Sequence, residues 1–227
     1  MFANRNTTTN SHQGSIMVRK SQFTRQDIVR AGMSVVEQEG LSSLSARRVA
    51  DELGASTAPV YSNFGNMEEL AVAVKQAVAE QLLEFTGRQF TENGFLNIGI
   101  GVLEFARQKP TLYSSVFMQN SSQCDAGLRV MAKLSKRMAN LGDLGELPEL
   151  ERLLLLHHMS IFTHGLAVKI CSGRAEQYSF DDLILFLRDA GEGLTRHALS
   201  RPERSPEQLA LMHSLVEMNL KEEAGNE

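Results

Sequence analysis

The chain has 227 residues, 42% of them hydrophobic and 22% charged, with a net charge of −4. This composition supports one large or two small domains with a real core, and it excludes a chain that is disordered throughout. The negative balance excludes a protein that is basic over its whole surface. Residues 1–66 nevertheless hold seven Lys and Arg against five Asp and Glu, which fits a local face for a polyanion.

The cysteines and the apolar runs indicate the cellular compartment of the protein. Cys124 and Cys171 form neither a CxxC zinc pattern nor a disulfide framework, so we expect a reducing environment. No signal-peptide pattern opens the chain. The most apolar run, 153–168, contains three histidines and is too short for a comfortable membrane span. We therefore predict a soluble, cytoplasmic protein.

The first 22 residues are polar and unpatterned, which predicts a flexible arm. Met17 lies seven residues before the first helix signal, at Thr24. One hypothesis is that translation begins at Met17. N-terminal sequencing of the native protein tests it, and a terminus at Phe2 or Ala3 would contradict it.

Residues 24–70 predict four helix starts, each marked by a side chain that can accept a backbone N–H in the first turn. The caps are Thr24 (a capping box with Asp27), Ser45, Ser56 and Asn66 (followed by Glu69). Glycines 40 and 54 end the first two helices. We predict that the third runs from Ser56 through Phe64, with Pro59 in its first turn, and that the fourth runs to about Arg88.

The second and third of these helices, with the sharp turn between them, form a helix-turn-helix pattern. In this motif the later helix, here the third, enters the major groove of DNA. Such a helix needs small or polar residues facing outward, here Ser56, Thr57, Ala58, Ser62 and Asn63. Its apolar anchors are Val60 and Phe64, expected to pack on Ile28, Leu44, Val49 and Leu53. Helix N-termini at Ser45 and Ser56 can face phosphates, and Arg47 and Arg48 add charge beside the first.

Beyond residue 90 the apolar residues recur at helical spacing, and the alternating pattern typical of strands is nearly absent. We predict helices near 95–108, 110–119, 124–140, 148–171 and 179–199, with a last amphipathic helix near 205–222. Breaks are predicted at 109–110, 141–148, 172–173 and 201–202.

Residues 40–70 resemble the tetracycline-repressor (TetR) family of bacterial transcription regulators. The residues that carry the resemblance are Gly40-Leu41, Leu44-Ser45, Arg47, Val49-Ala50, Leu53-Gly54, Ser56, Val60-Tyr61, Phe64 and Glu68-Glu69-Leu70, without a gap. The resemblance implies an all-α homodimer, with an N-terminal three-helix helix-turn-helix head followed by a helical ligand-binding and dimerisation body. It also implies that ligand binding releases DNA. It places Ser45, Arg47, Tyr61 and Asn63 at the phosphate backbone, and Thr57, Ala58 and Ser62 nearer the bases.

Two positions depart from the family pattern. The position of Asn63 is often His, and that of Met67 is often a Lys that clamps a phosphate, which methionine cannot do. Arg19 and Lys20 in the basic arm are the expected compensation. The alternative is a small-molecule-binding or dimerisation module whose head has weakened DNA binding; DNA affinity that barely responds to salt would favour it.

The helices predicted at 148–171 and 179–199 are apolar on several sides. We expect them to form half of a four-helix dimer interface, and the alternative is the core of a monomer. Gly191 and Gly193 either permit close helix approach there or mark a weak kink.

A ligand pocket is expected among apolar and aromatic residues of the middle helices with a few polar groups nearby. The candidates are Phe105, Tyr113, Phe117, Met118, Met131, His158, Phe162 and His164. His157, His164 and Cys171 recur every seven residues, about 10 Å apart along a helix, which is too far for them to share one metal ion. We therefore predict no metal, although a redox- or metal-responsive regulator on the same fold stays an alternative.

The sequence contains no Gly-rich phosphate loop, GxSxG or HExxH motif, so we predict neither an enzyme nor a cofactor. The predicted organisation is an arm at 1–22, a DNA-binding domain at 23–66, a ligand-binding and dimerisation domain at 67–202, and a C-terminal helix and tail at 203–227. The predicted function is a regulator, most simply a repressor, that binds double-stranded operator DNA as a homodimer and is released by a small molecule.

Overall fold

The structure is a computed structural model that describes residues 23–118 and 126–200, together with residues 205, 207, 208 and 210. The predicted arm, Cys124 and most of the predicted helix at 205–222 lie outside the described residues. The described part is all-α, as predicted, and contains no β-strand. Its helices are α1 Arg25–Glu39, α2 Ala46–Leu53, α3 Ala58–Asn63, α4 Met67–Phe85, α5 Gly94–Gln108, α6 Pro110–Phe117, α7 Ala126–Met138, α8 Asp143–Glu146, α9 Glu149–Cys171 and α10 Phe180–Ser200.

The first helix, α1, begins and ends where the sequence predicts. Thr24 Oγ1 accepts the backbone N–H of Asp27 at 3.2 Å, and Asp27 Oδ2 accepts the N–H of Thr24 at 2.9 Å. This capping box satisfies backbone donors that the first turn leaves unpaired, and the hydrogen bond from the Thr24 side chain lowers the pKa of Asp27. Gly40 ends the helix at φ 84°, a backbone angle that favours glycine. The helix thereby presents its apolar stripe to α2, α4 and α6.

The helix-turn-helix is formed by α2 and α3. Ser45 caps α2 as predicted, since its Oγ accepts the backbone N–H of Arg48 at 3.4 Å, and Gly54 turns the chain at φ 62°. The predicted start of α3 at Ser56 is wrong, because the helix begins at Ala58 and Thr57 precedes it without a side-chain cap. Pro59 explains the difference. A cap at Ser56 would bond the N–H of the third helical residue, and proline has none.

The long helix α4 leads from the head into the body. Asn66 Oδ1 accepts the N–H of Glu69 at 2.8 Å, which confirms the predicted start. The helix ends at Phe85, short of the predicted Arg88. The side chain of Thr86 is buried there: its hydroxyl donates to Leu83 O at 2.8 Å and accepts from Arg137 Nη1 at 3.0 Å. These bonds fix the end of α4 against α7.

The body is built around α5, which packs against α4, α6, α9 and α10. At Gly101 the backbones of α4 and α5 come so close that a Cβ would lie 2.5 Å from the carbonyl oxygen of Phe85. The segment 141–148, predicted as a break, contains the short helix α8, because Gly142 at φ 50° redirects the chain and Leu144 and Leu147 are buried. The glycines and the proline of this segment therefore flank a helical turn.

Among the described residues, α9 is the helix that is long and apolar enough, by length and composition, to cross a membrane. A core helix passes the same test, and α9 packs against α5, α6, α7 and α10, with 39% of its most apolar window buried. Its remaining apolar surface, together with that of α10, is exposed. The large apolar side chains of the two helices that are exposed are Ile161, Phe162, Leu185, Phe186 and Leu199.

Candidate nucleic-acid interface and cavity

The nine residues predicted to contact DNA lie at the start of α2 and in and just before α3. Seven of them are exposed, and Ser45 and Asn63 are half-buried. Tyr61 keeps 59% of its surface exposed, whereas the anchors Val60 and Phe64 keep 1% and 2%. One side of α3 is therefore packed into the head, and the other is open to a partner.

The two neighbouring arginines of α2 have different surroundings. Arg48 forms ion pairs with Glu39 and, at 3.9 Å, with Asp51. Arg47 is exposed, and no acidic side chain in the described part of the chain forms an ion pair with it. The charge of Arg47 is free to meet a phosphate, while that of Arg48 is already largely neutralised.

Hydrogen bonds back to the helix occupy part of the polar surface of α3. The Ser62 hydroxyl and the Asn63 amide each donate to Pro59 O at 2.9 Å. Asn63 would have to release this bond to donate to a phosphate, whereas the exposed Tyr61 would not. Of the positions assigned to the phosphate backbone, Tyr61 and Arg47 are thus the most accessible.

Arg25 is a residue of the head whose role the sequence does not predict. Its guanidinium lies 3.9 Å from the centroid of the Phe64 ring and donates to Asn63 O at 2.7 Å. It also forms an ion pair with Glu69 at 2.8 Å. These contacts join the first turn of α1 to the end of α3 and the start of α4, so they hold the orientation of α3. No sequence pattern marks this role, because the partners are 38 and 44 residues away.

The body contains a cavity of about 910 Å³, within the size range of small-molecule sites. Four predicted pocket residues line it: Tyr113, Phe117, Met131 and His164. Its other walls come from α5, α7, α9 and α10, with Leu82 from α4. The buried wall residues are predominantly apolar, and the exposed ones belong mainly to α9 and α10.

Four other predicted pocket residues lie outside the cavity wall. Phe105 is fully buried behind it, with its ring 5.3 Å from that of Phe85 and 6.4 Å from that of Tyr113. Met118 is exposed after the last residue of α6. His158 and Phe162 lie on an exposed face of α9, while His157 and the residues that follow it at helical spacing, namely Ser160, Ile161 and His164, face the cavity. Helical periodicity therefore places the residues of the run 157–164 on two different faces of α9.

A polar pair, formed by the buried Tyr113 and the half-buried His164, lies in the cavity wall. The hydroxyl oxygen of Tyr113 is 2.8 Å from Nδ1 of His164, and the centroids of the two rings are 5.8 Å apart. Burial raises the pKa of Tyr113 and lowers the pKa of His164, and both shifts favour the uncharged form of the side chain. The pair supplies polarity to the wall.

The predicted row of His157, His164 and Cys171 does not form a cluster. His157 and His164 line the cavity, while Cys171 Sγ lies 3.9 Å from Ala106 O, and burial raises the pKa of its thiol. In the described ranges, no group of three or more His, Cys, Asp or Glu side chains could hold a metal ion.

Two helices connect the cavity to the head. Leu82 of α4 lines the cavity, and α4 packs along α1. On α6, Tyr113 and Phe117 line the cavity, while Ser115 Oγ accepts the backbone N–H of Leu41 at 3.3 Å. Lys109, which precedes α6, forms an ion pair with Glu37 of α1. α4 and α6 therefore each contact both the cavity and the head.

Comparison with known proteins supports this interpretation of the head. Residues 28–74 match the sequence model of the bacterial regulatory proteins of the tetR family. No curated protein sequence matches the chain. Among solved structures, the fold is similar to that of SCO7222, a TetR transcriptional regulator from Streptomyces coelicolor (TM-score 0.61, 15% identity, 79% of this chain and 100% of that chain covered). It is also similar to a single-substitution TetR variant from Acinetobacter baumannii AYE in complex with minocycline (TM-score 0.55, 13% identity, 77% and 98% covered).

The sequence match lies on α1 to α4, where the exposed face of α3 and the exposed Arg47 are found, and the shared fold extends through the helical body. Residues 28–74 thus form a helix-turn-helix head similar to that of the bacterial regulatory proteins of the tetR family, and the fold of the chain as a whole is similar to that of TetR regulators.

Proposed function

We propose that the chain represses transcription by binding operator DNA as a homodimer and that a small molecule in the cavity releases it. The observation that supports this most directly is the connection of cavity to head through α4 and α6. The recognition elements are the exposed side of α3 and the start of α2. Arg47 and Tyr61 contact phosphates, and Thr57, Ala58 and Ser62 lie nearer the bases.

Release requires two states of the protein that differ in the spacing of the two heads. A ligand shifts the population only if it binds the state with low DNA affinity more tightly. The similarity to a TetR variant in complex with minocycline supports a ligand role for the body. Since α6 carries cavity residues and also contacts α1, we propose that α6 acts together with α4 in this shift.

The function is tested by footprinting of DNA upstream of the chain's own coding sequence. We expect protection of one pseudo-palindromic site whose half-sites lie about one helical turn apart, because a two-fold dimer presents two copies of α3. Protection that is equal on unrelated DNA would contradict a site-selective regulator.

The proposed dimer forms through α9 and α10. Their exposed apolar side chains outside the cavity wall include Phe162, 37% exposed, and Leu185, 46% exposed. Large exposed apolar side chains on neighbouring helices are typical of a surface that a second chain covers.

Leu185→Glu is expected to give a protein with the mass of one chain, 25.1 kDa, where the unchanged protein has twice that mass. The reason is that the carboxylate would be buried without a partner in the interface. Light scattering after size exclusion measures the mass, and Gln177→Glu, an exposed position in the turn before α10, is the control. The variant should also bind the operator at least about tenfold more weakly, since one head reads one half-site. A dimeric Leu185→Glu protein would place the interface elsewhere.

A further inference from the structure

The charged side chains that line the cavity all come from α10. They are Arg188, Glu192 and Arg196; within the described residues, no other Lys, Arg, Asp or Glu lines it. The spacing of four residues places the three on one face of the helix. This face carries a net positive charge.

None of these three charges has an ion-pair partner among the described side chains. All three residues are exposed, so they lie on the open side of the cavity. Arg188 and Arg196 are about 12 Å apart along the helix axis. One anionic group of a ligand can therefore meet one guanidinium at either end of the row without lying against Glu192.

The deep side of the cavity has the opposite character. Its wall consists of buried and half-buried apolar side chains, with polarity supplied by the pair of Tyr113 and His164, and by Thr163. A charged group placed there would lose its hydration without gaining a counter-charge, so it would be disfavoured. An apolar body is favoured in the same place.

We propose that the cavity binds an amphipathic organic anion, with its acidic group at Arg188 or Arg196 and its apolar body against α5, α6 and α7. This inference rests on the proposed role of the cavity as the ligand site and names the chemical class of that ligand. An amphipathic cation is disfavoured because Glu192 is flanked by two arginines. A neutral apolar molecule would fill the cavity without using the charged face of α10.

The test compares two probes that share one ring system. 1-Anilinonaphthalene-8-sulfonate carries a sulfonate, and N-phenyl-1-naphthylamine lacks it. Both are titrated by fluorescence into the full chain without DNA. We expect Arg188→Gln combined with Arg196→Gln to weaken sulfonate binding at least about tenfold and to change binding of the neutral probe by less than about twofold. The single variants show which arginine holds the anion.

Two controls sharpen the result. Arg174→Gln removes an exposed arginine that does not line the cavity, and it should leave both affinities unchanged. Glu192→Gln removes the one acidic side chain of the row, so it should strengthen sulfonate binding about threefold. Decanoate should displace the neutral probe at a concentration at least about tenfold lower than decan-1-ol does.

Equal response of the two probes to the arginine variants would overturn the inference, as would equal displacement by decanoate and decan-1-ol. Failure of the sulfonate probe to bind would overturn it too. Because no DNA is present, a chain that binds the anion and ignores its operator would support this inference while contradicting the proposed function. The reverse result would contradict this inference and leave DNA binding intact.

Discussion

Arg47→Ala is expected to weaken operator binding about tenfold, and Arg48→Ala less than about threefold. The two positions are neighbours with the same charge, but Arg48 is neutralised by Glu39 and Asp51, and Arg47 is exposed without such a partner in the described residues. A phosphate contact from Arg47 would also contribute about one unit per protomer to the salt dependence of the affinity. The two variants therefore form a matched test of which arginine contacts the DNA.

The measurement is fluorescence anisotropy on labelled operator, with thermal unfolding of each variant as the control. Arg47 makes no ion pair within the described part of the chain, so its replacement should leave the unfolding temperature nearly unchanged. Tyr61→Ala should likewise weaken binding without destabilising the head, because its side chain is 59% exposed. Affinities of Arg47→Ala and Tyr61→Ala within about twofold of the unchanged protein would contradict the placement of the DNA on α2 and α3.

Gly101→Ala is expected to destabilise the body by at least about 2 kcal/mol, which lowers the unfolding temperature by roughly 4–8 °C for a chain of this size. The new Cβ would lie 2.5 Å from Phe85 O and 2.6 Å from Thr86 Cα. Both are backbone atoms, so no flexible side chain can move aside, and α4 and α5 would have to separate. Gly101→Val should have a larger effect.

The control is Gly127→Ala in α7, where a Cβ would meet nothing within 4 Å. It should leave stability unchanged or raise it slightly, since alanine is the better helix former. Scanning calorimetry compares the two variants. Equal unfolding temperatures for Gly101→Ala and Gly127→Ala would show that the crossing of α4 and α5 is looser than the structure has it.

The parts of the fold that follow from local chemistry could be predicted from the sequence. Thr24, Ser45 and Asn66 cap the helices predicted from them, because an N-cap is a bond to a donor three residues away. The same rule gives the wrong start for α3 at Ser56, because Pro59 removes the donor. The short helix α8 is not predicted because its glycines favour a break, although its stability comes from the burial of Leu144 and Leu147.

The site depends on contacts that no local pattern carries. The wall formed by α10 is not predicted because that helix is assigned to the dimer interface, although the spacing of Arg188, Glu192 and Arg196 is visible in the sequence. Phe105 and Tyr113 look alike as aromatic residues of the middle helices, and only the packing of α5 against α4 places one behind the wall and the other in it. The contacts of Arg25 with Phe64 and Glu69 likewise exist only in the folded head.

The central claim is that the head binds operator DNA although Met67, half-buried at the start of α4, supplies no positive charge. The most direct test is fluorescence anisotropy of the full chain on DNA upstream of its own coding sequence at two salt concentrations. We expect tight binding to one site that weakens at least about tenfold when the salt is raised about threefold, because several phosphates are neutralised. Binding that changes less than about twofold with salt, or that is equal on a shuffled duplex, would contradict the claim and leave the helical body as the working part of the protein.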